Sequence, residues 1–219
     1  MKKTLFLFFI SYIVMGFQTD QVESNTWTLK KNQNGVSVYS RDAENSRFKE
    51  LKSVTIYKSS LSSLIALIDD FESYPQWVYK CAVSTTIKKN SEKDLIHYQS
   101  VIAPWPVDNR DFVVHVQLQQ DPVTKVIIQN VSCIPDYIPR VKGHVRITEF
   151  KARWTLIPLK DGYVEANYEL LVNPGGNVPA WIVNLAAVDG PYETAINMKK
   201  MLMKEKYQKA VVLFVKEPL

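Results

Sequence analysis

Between residues 83 and 172 the sequence consists almost entirely of strand-like segments, and this run constrains the fold more than any other feature. Short turn-forming pieces, notably 89–91, 121–122 and 160–162, separate the segments. Strands joined by links this short must pair antiparallel, because a parallel pair needs a crossover of about a dozen residues or more. The predicted strands are 83–88, 94–103, 111–120, 125–132, 143–158 and 162–172.

Two strands and two short helices are predicted before this run. The segments 27–41 and 48–57 alternate between apolar and polar residues and predict a hairpin. At Ser60 the period changes to that of a helix, and Ser60 is suited to the N-cap position. The apolar face of this helix consists of Leu61, Leu64, Ile65 and Ile68. A second short helix is predicted over 75–80.

After a break at 173–177, residues 178–207 give the longest helical pattern of the chain. Gly190-Pro191 lies inside this pattern and predicts a kink, because proline removes a backbone hydrogen bond and clashes with the preceding turn. This helix is the late element large enough to cover a wide sheet. The predicted fold is therefore α+β: a curved antiparallel sheet wrapped around a long C-terminal helix, with room for an apolar cavity between them.

The first residues are predicted to be a targeting signal that lies outside the fold. Lys2 and Lys3 give a short positive start, and the apolar run over 5–17 that follows is too short to span a bilayer comfortably. We assign 1–20 to a signal peptide and 21–219 to a single domain. Export, to the periplasm or out of the cell, is the expected result, and an uncleaved N-terminal membrane anchor is the alternative.

Composition argues against several classes of function. The net charge is +5, but the lysines and arginines are scattered and form no concentrated stripe of the kind that binds nucleic acids. His97, His115 and His144 do not supply the roughly four ligands of a zinc site, and no metal or cofactor is predicted. Cys81 and Cys133 could form a disulfide in an exported protein or remain buried free thiols.

Three short motifs, in order along the chain, carry a resemblance to a known family. They are Pro-Val-Asp-Asn-Arg-Asp-Phe-Val at 106–113, Ile-Pro-Arg-Val-Lys-Gly at 138–143 and Gly-Gly-Asn-Val-Pro-Ala-Trp-Ile-Val-Asn at 175–184. Over residues 27–207 the chain resembles START domains, the steroidogenic-acute-regulatory-related lipid transfer domains of the wider Bet v 1-like helix-grip superfamily. The resemblance implies a helix-grip fold that holds a single lipid in an internal tunnel, without covalent chemistry.

The resemblance also assigns roles around the loop at 104–109, which it makes an Ω-type loop and part of a lid over the C-terminal helix. Trp105, with Pro106 beside it, is expected to touch a membrane surface or the C-terminal helix transiently when ligand passes. Arg110 and Asp111 resemble the family's Arg-Asp pair and are interpreted as structural, because they lie where the loop meets a strand. The alternative for Arg110 is a ligand for a phosphate or carboxylate head group. A monomer is expected.

Candidate ligand-lining residues come from period-two alternation. If Phe112, Val114 and Val116 face inward, the polar residues between them face water, and the same test selects alternate residues of the neighbouring strands. Resemblance adds Trp154 and Thr194. The full set, with Met198 from the helix, is Tyr98, Ser100, Ile102, Phe112, Val114, Val116, Trp154, Tyr168, Leu170, Thr194 and Met198. Ordinary core packing is the alternative for each.

The predicted function is non-catalytic binding of one hydrophobic ligand or lipid, with transfer as an open extension. Tyr98 and Val116 stand where sterol-binding relatives carry a buried acid and a buried arginine, so fatty acids and phospholipids are as admissible as sterols. The alternative is an aromatase/cyclase-like enzyme on the same scaffold, acting on a hydrophobic polyketide-type substrate. Such an enzyme needs an inward acid-base group, and alternation assigns both His97 and His115 to the outer face.

Overall fold

The computed structural model describes residues 26–176, 178, 183 and 187–218, and in this part of the chain ten strands form one sheet. The strands are β1 (Thr28–Gln33), β2 (Val36–Asp42), β3 (Lys49–Lys58), β4 (Cys81–Ser91), β5 (Asp94–Val101), β6 (Asn109–Gln120), β7 (Ile127–Cys133), β8 (His144–Arg146), β9 (Glu149–Pro158) and β10 (Tyr163–Asn173). The helices are α1 (Leu61–Ile68), α2 (Asp189–Met201) and α3 (Glu205–Gln208), with 3-10 helices at Phe71–Gln76 and Lys160–Gly162.

The strand order is β1-β2-β3-β10-β9-β7-β6-β5-β4, and all neighbours in it are antiparallel, which confirms the prediction from the short links. Off this path, β8 pairs parallel to β6. Two predicted strands are divided in the structure. The segment 27–41 forms the hairpin β1–β2, which turns at Asn34 and Gly35 with φ of 53° and 70°. The segment 143–158 forms β8 and β9.

Helix α1 begins where the sequence predicts, with Ser60 as its N-cap. The Ser60 hydroxyl oxygen accepts a hydrogen bond from the backbone N–H of Ser63 at 3.0 Å. The Glu217 carboxylate accepts two more, from the N–H groups of Leu61 at 3.1 Å and Ser62 at 2.8 Å. A carboxylate at this position pairs unsatisfied amides and complements the helix dipole. The C-terminal tail is thereby tied to the start of α1.

The short helix predicted over 75–80 is wrong in position, because a 3-10 helix covers Phe71–Gln76. Its first turn forms before the proline: the Ser73 N–H donates to the Asp70 carbonyl at 3.0 Å. Trp77 packs in the core as expected, 2% exposed, and its indole N–H donates to the Ser73 hydroxyl at 3.0 Å.

The C-terminal helical region is divided after Met201, where a single helix to residue 207 was predicted. Helix α2 starts at Asp189 and ends at Met201, a turn separates it from α3, and an irregular tail follows. Pro191 lies in the first turn of α2, where a missing backbone N–H costs nothing, and the predicted kink at Gly190-Pro191 stays a prediction because most of the residues before α2 lie outside the described part of the chain. The earlier part of the predicted helix falls largely outside the described residues.

Helices α1 and α2 pack on one face of the sheet, called the inner face below. The largest buried cluster joins Leu64 and Ile68 of α1 with Met198 of α2 and with Leu156 and Ala166 of the sheet. A second cluster places Tyr192 and Ala195 of α2 on Val36 and Val38. The sheet thus grips the helix, as the α+β helix-grip prediction requires.

The outer face carries a buried ion pair between neighbouring strands. Asp111 of β6 accepts two hydrogen bonds from Arg146 of β8, at 2.9 and 2.8 Å, and the side chains are 1% and 0% exposed. The same guanidinium donates to the carbonyl groups of Pro135, Ile138 and Pro139. One charged group therefore fixes both the β6–β8 pairing and the loop at 134–143.

Replacing Asp111 with Asn is expected to lower the free energy of unfolding by about 3–5 kcal/mol, because the Arg146 guanidinium is then buried without a counter-charge. Chemical denaturation measures the change. The matched control is Asp136→Asn, which breaks the exposed pair with Arg140, whose side chains are 86% and 59% exposed. That variant should lose less than about 1 kcal/mol. Equal losses would contradict the structural weight given to the buried pair.

Candidate functional site

The sheet register shows which side chains of β6 reach the inner face. Phe112, Val114 and Val116 are 6%, 1% and 3% exposed and form one buried cluster with Phe71 and Ile147. Their inward orientation is confirmed. Their contact with a ligand remains a prediction.

Strand β5 is turned the other way from its prediction. Tyr98 pairs with Val113, and Ser100 pairs with Asp111, so both lie on the outer face beside the buried ion pair. Ile102 follows the end of the strand and is 53% exposed. The prediction that Tyr98, Ser100 and Ile102 share the inner face with the β6 residues is therefore wrong.

The inner face of β5 is formed instead by Leu95, His97 and Gln99, which pair with the inward residues of β6. The assignment of His97 to the outer face is wrong, whereas His115 does lie there, with its Nε2 3.0 Å from the Asp94 carboxylate. Alternation fails on β5 because both faces of the strand are buried.

The opposite wall of the inner face comes from β9 and β10. Trp154 and Tyr168 stack with ring centroids 4.3 Å apart, and Phe150 stacks on Phe112 at 4.8 Å. Trp154 is buried, but Tyr168, Phe150 and Leu170 are only partly buried although they face inward. The inner face is therefore only partly covered along the second half of β10.

Helix α2 supplies the two remaining candidates. Met198 is fully buried, and its sulfur lies 3.7 Å from the Tyr57 hydroxyl, which donates to the Ala195 carbonyl at 3.2 Å. The Thr194 hydroxyl oxygen accepts from the Tyr79 N–H at 3.1 Å, so Thr194 ties α2 to the segment before β4. Both contacts hold the helix in place, and a ligand contact remains a prediction for each residue.

Sequence reasoning missed a polar pair on the inner face. Gln129 of β7 is 3% exposed, lies opposite Trp154, and donates to the Asp69 carboxylate at 2.7 Å. Burial raises the pKa of Asp69 from 3.8 to about 7, and the bond from Gln129 opposes this shift only in part. The signal in the sequence is Gln129 itself, a polar residue at an inward position between Ile127 and Val131.

His97 is a packed residue of the same face. Its ring stacks on Phe71 with centroids 4.3 Å apart, and its Nε2 lies 3.4 Å from the Ser84 hydroxyl. Because Ser84 donates its own proton to the Phe71 carbonyl, it accepts from the imidazole N–H. Burial lowers the pKa of His97 from 6.5 to about 4, so the ring is neutral near pH 7.

Three segments meet at one end of the sheet, called the open end below. Because β6 and β8 are parallel, the loops that lead into them, 102–108 and 134–143, emerge side by side. Residues 174–176, which follow β10, contact Arg110 and complete this end. Trp105 is 93% exposed, and Pro106 is exposed beside it.

Arg110 and Asp111 both hold the backbone at the open end, but each does so through other partners and not by pairing with the other. Asp111 binds Arg146, as described above. Arg110 is 7% exposed and donates to the carbonyl of Pro174 at 3.3 Å and to the carbonyl of Asp108. These contacts are structural in kind, as assigned, and a head-group role for Arg110 gains no support from them.

Several other expectations concern groups across the molecule. Cys81 and Cys133 are both free thiols. Among the described residues, no cluster of histidine, cysteine or acidic side chains is arranged to hold a metal ion. In the same part of the chain, no helix has the length and apolar character needed to cross a membrane.

Comparison with known proteins gives consistent matches. The START domain family model matches residues 16–206. An uncharacterised protein of Pseudomonas aeruginosa is 32% identical over 168 residues, which cover 77% of this chain and 82% of that protein. The phosphatidylcholine transfer protein of Rattus norvegicus is 27% identical over 173 residues, covering 75% and 78%. The crystal structure of a STAR-related lipid transfer protein from Xanthomonas axonopodis is 33% identical, with a TM-score of 0.76 and coverage of 81% and 99%.

Asp69 and His97 are expected to give opposite pH dependences of stability. The pKa of Asp69 rises on folding from 3.8 to about 7, so the folded state binds more protons and the free energy of unfolding falls as pH rises. The pKa of His97 falls from 6.5 to about 4, so the unfolded state binds more protons and the free energy of unfolding rises with pH. The two slopes oppose each other between about pH 4 and 6.5.

Each single variant removes one of the two groups, so its stability should show the pH dependence caused by the group that remains. Over that interval, Asp69→Asn should make the melting temperature rise with pH more steeply than in the wild type, and His97→Gln should make it fall. Thermal unfolding at closely spaced pH values measures both, and the lowered pKa of Asp94, about 2, acts below this interval. Parallel curves for all three proteins would show that these groups are not buried as described.

Proposed function

This chain belongs to the START domain family, and from this premise we propose that it binds one lipid between the inner face of its sheet and the C-terminal helical segment, without covalent chemistry. Family membership rests on a model match over residues 16–206 and on a relative 32% identical over 77% of the chain. The relatives whose names state a function are lipid transfer proteins, so transfer between membranes is part of the proposal.

The observation that best supports the site is the partly exposed inner wall of β10. Tyr168, Leu170 and Val172 face inward yet remain partly exposed, while the residues around α1 are almost fully buried. Covering about 300 Å² of apolar ligand surface at ~25 cal/mol/Å² would contribute roughly 7 kcal/mol before ordering costs. An apolar wall therefore suffices to hold a lipid, and no special polar chemistry is needed. The inward residues of β6 complete the proposed lining.

Entry and release are proposed to occur at the open end. Trp105 is 93% exposed on a loop next to the start of the C-terminal segment, so it is placed to enter the headgroup layer of a membrane. Pro106 restricts the backbone of the loop and keeps the indole presented. We also propose that the protein acts outside the cytoplasm, on the strength of the apolar N-terminal run after Lys2 and Lys3.

A second candidate function, the cyclase-like enzyme, is favoured by one inward acidic group, Asp69, that sequence alternation did not supply. The Asp69 carboxyl has a pKa of about 7, the range in which a carboxyl group serves as a general acid or base near neutral pH. His97 is a poorer candidate, because it is 2% exposed and stacked on Phe71. Loss of turnover of a polyketide-type substrate in Asp69→Asn, with lipid binding retained, would support this enzyme.

Lipid binding is tested by a larger side chain on the partly exposed inner wall of β10. Leu170→Trp should weaken binding of a fluorescent phosphatidylcholine by about tenfold or more, because the indole occupies space that the acyl chains need. The matched control is Ile56→Trp, on the outer face of β3, where the side chain is 51% exposed. Fatty acid and sterol probes tested in parallel define the ligand class. Absence of binding by the wild-type protein to all three probes would overturn the proposal.

The role of Trp105 is tested separately from binding. Trp105→Ala should slow phosphatidylcholine transfer between vesicles by about tenfold, the order expected when one large apolar side chain no longer enters the membrane. Binding of the same probe in solution should be unchanged, since Trp105 points away from the core. Unchanged transfer by a folded Trp105→Ala protein would remove the loop from the mechanism.

A further inference from the structure

The inner face of the sheet changes character at one level across neighbouring strands. On β10, Ala166 is 2% exposed, whereas Tyr168, the next inward residue, is only partly buried. On β7, Ile127 is fully buried, and Val131, two inward positions further along, is partly buried. The boundary between the packed core and the partly exposed wall therefore runs through Tyr168 and Gln129.

The sheet register places four side chains with hydrogen-bonding groups in one row at this boundary. Tyr168 pairs with Ser53 on one side and with Trp154 on the other. Trp154 pairs in turn with Gln129. Because neighbouring strands lie about 4.8 Å apart, the row spans about 14 Å across the floor of the partly exposed wall. Gln129 extends the row to Asp69, whose carboxylate accepts from the Gln129 amide at 2.7 Å. These five residues are called the polar row below.

Most of the hydrogen-bonding capacity of the polar row is unused by the protein. Within the part of the chain that the structure describes, no group bonds the hydroxyls of Ser53 and Tyr168 or the indole N–H of Trp154. Buried tyrosine and tryptophan usually find a partner for these atoms. The Gln129 amide carries two N–H donors and a carbonyl, and its bond to Asp69 uses one donor. Because unpaired buried polar groups are costly, such a row suits a site where a bound molecule supplies the partners.

The charges of the polar row favour an uncharged partner. The row contains no cationic side chain, so a phosphate group would be buried there without a counter-charge, which is costly. Burial raises the pKa of Asp69 to about 7, so its carboxyl group can donate as well as accept near neutral pH. Hydroxyls and amides both donate and accept hydrogen bonds without carrying a charge, and they match the row.

We propose that the polar row binds the uncharged hydroxyl or amide group of a lipid whose apolar part lies along the partly exposed wall of β10. This inference rests on the proposed function, since it needs a ligand on the inner face, and it adds the class of ligand that this face prefers. Phosphatidylcholine has only ester carbonyls to offer the row, so it forms fewer bonds there. Hydroxyls of long-chain lipids and of sterols share the required chemistry, and the test separates them.

The test offers the full chain phosphatidylcholine vesicles that contain equal small amounts of two matched lipids. One pair is monoolein and methyl oleate, and the other is cholesterol and its methyl ether. The protein is isolated again, and the captured lipids are quantified by mass spectrometry. The wild type should capture the hydroxyl-bearing member of at least one pair about tenfold more, the order expected for one or two well-made buried hydrogen bonds. The pair that shows the preference identifies the source of the hydroxyl.

Tyr168→Phe tests the row with the smallest change, because it removes one hydroxyl and keeps the ring that stacks on Trp154. It should lower the captured ratio by about fivefold while the amount of the methylated lipid stays the same. A merely structural role would lower both amounts together. Ser53→Ala is the second variant and serves if Tyr168→Phe does not fold. The matched control is Tyr163→Phe, on the outer face of the same strand, where the side chain is 39% exposed.

The outcomes separate this inference from the proposed function. Capture of no lipid at all would overturn both. Capture of both members of each pair in equal amounts by the wild type would overturn the polar row and leave lipid binding intact. A ratio that stays unchanged in Tyr168→Phe and Ser53→Ala would also overturn the polar row.

Discussion

The buried ion pair between Asp111 and Arg146 is the constraint on which the open end depends. It joins β6 to β8 across their parallel contact, and the same guanidinium holds three carbonyl groups of the 134–143 loop. Removing a charged pair from water is costly, so the contact persists only because every donor of Arg146 has a partner. The loops at 102–108 and 134–143 are therefore anchored at their bases, while the tip at Trp105 stays exposed.

The predictions from sequence failed on the part of the sheet whose outer face carries this ion pair. Antiparallel pairing, the Ser60 cap and the inward face of β6 follow from link length, capping chemistry and alternation, and the structure agrees with all of them. On β5 the rule fails, because Ser100 on the outer face is as deeply buried as Gln99 on the inner face, at 2% and 6% exposed. Alternation identifies a buried face only when the other face meets water. Strand β8 has three residues, too few to show a periodic pattern. Its pairing with β6, and the burial of the outer face there, could therefore not be predicted from the sequence.

Polar residues inside the core were the second class of feature beyond prediction. Asp69 follows a well-predicted helix, but its hydrogen-bond partner Gln129 lies 60 residues further along the chain. Long-range contacts of this kind are absent from local periodicity. Thr194 was found by resemblance, and its contact with the Tyr79 backbone shows that an aligned position can serve the fold. The apolar wall was predictable because one period-two pattern runs along each of its strands.

The inner face is not uniform along its length. Gln129 pairs with Leu118, near the end of β6 remote from Trp105, so the Asp69 carboxyl lies at the closed end under α1, where Leu61, Leu64 and Leu67 are fully buried. The partly exposed wall of β10 begins at Tyr168 and leads towards 174–176, beside Arg110. A ligand entering past the open end would therefore meet apolar, partly exposed surface first and a polar group last. This order suits an amphiphile whose polar atom is satisfied deep in the protein, since an unpaired buried polar group is costly.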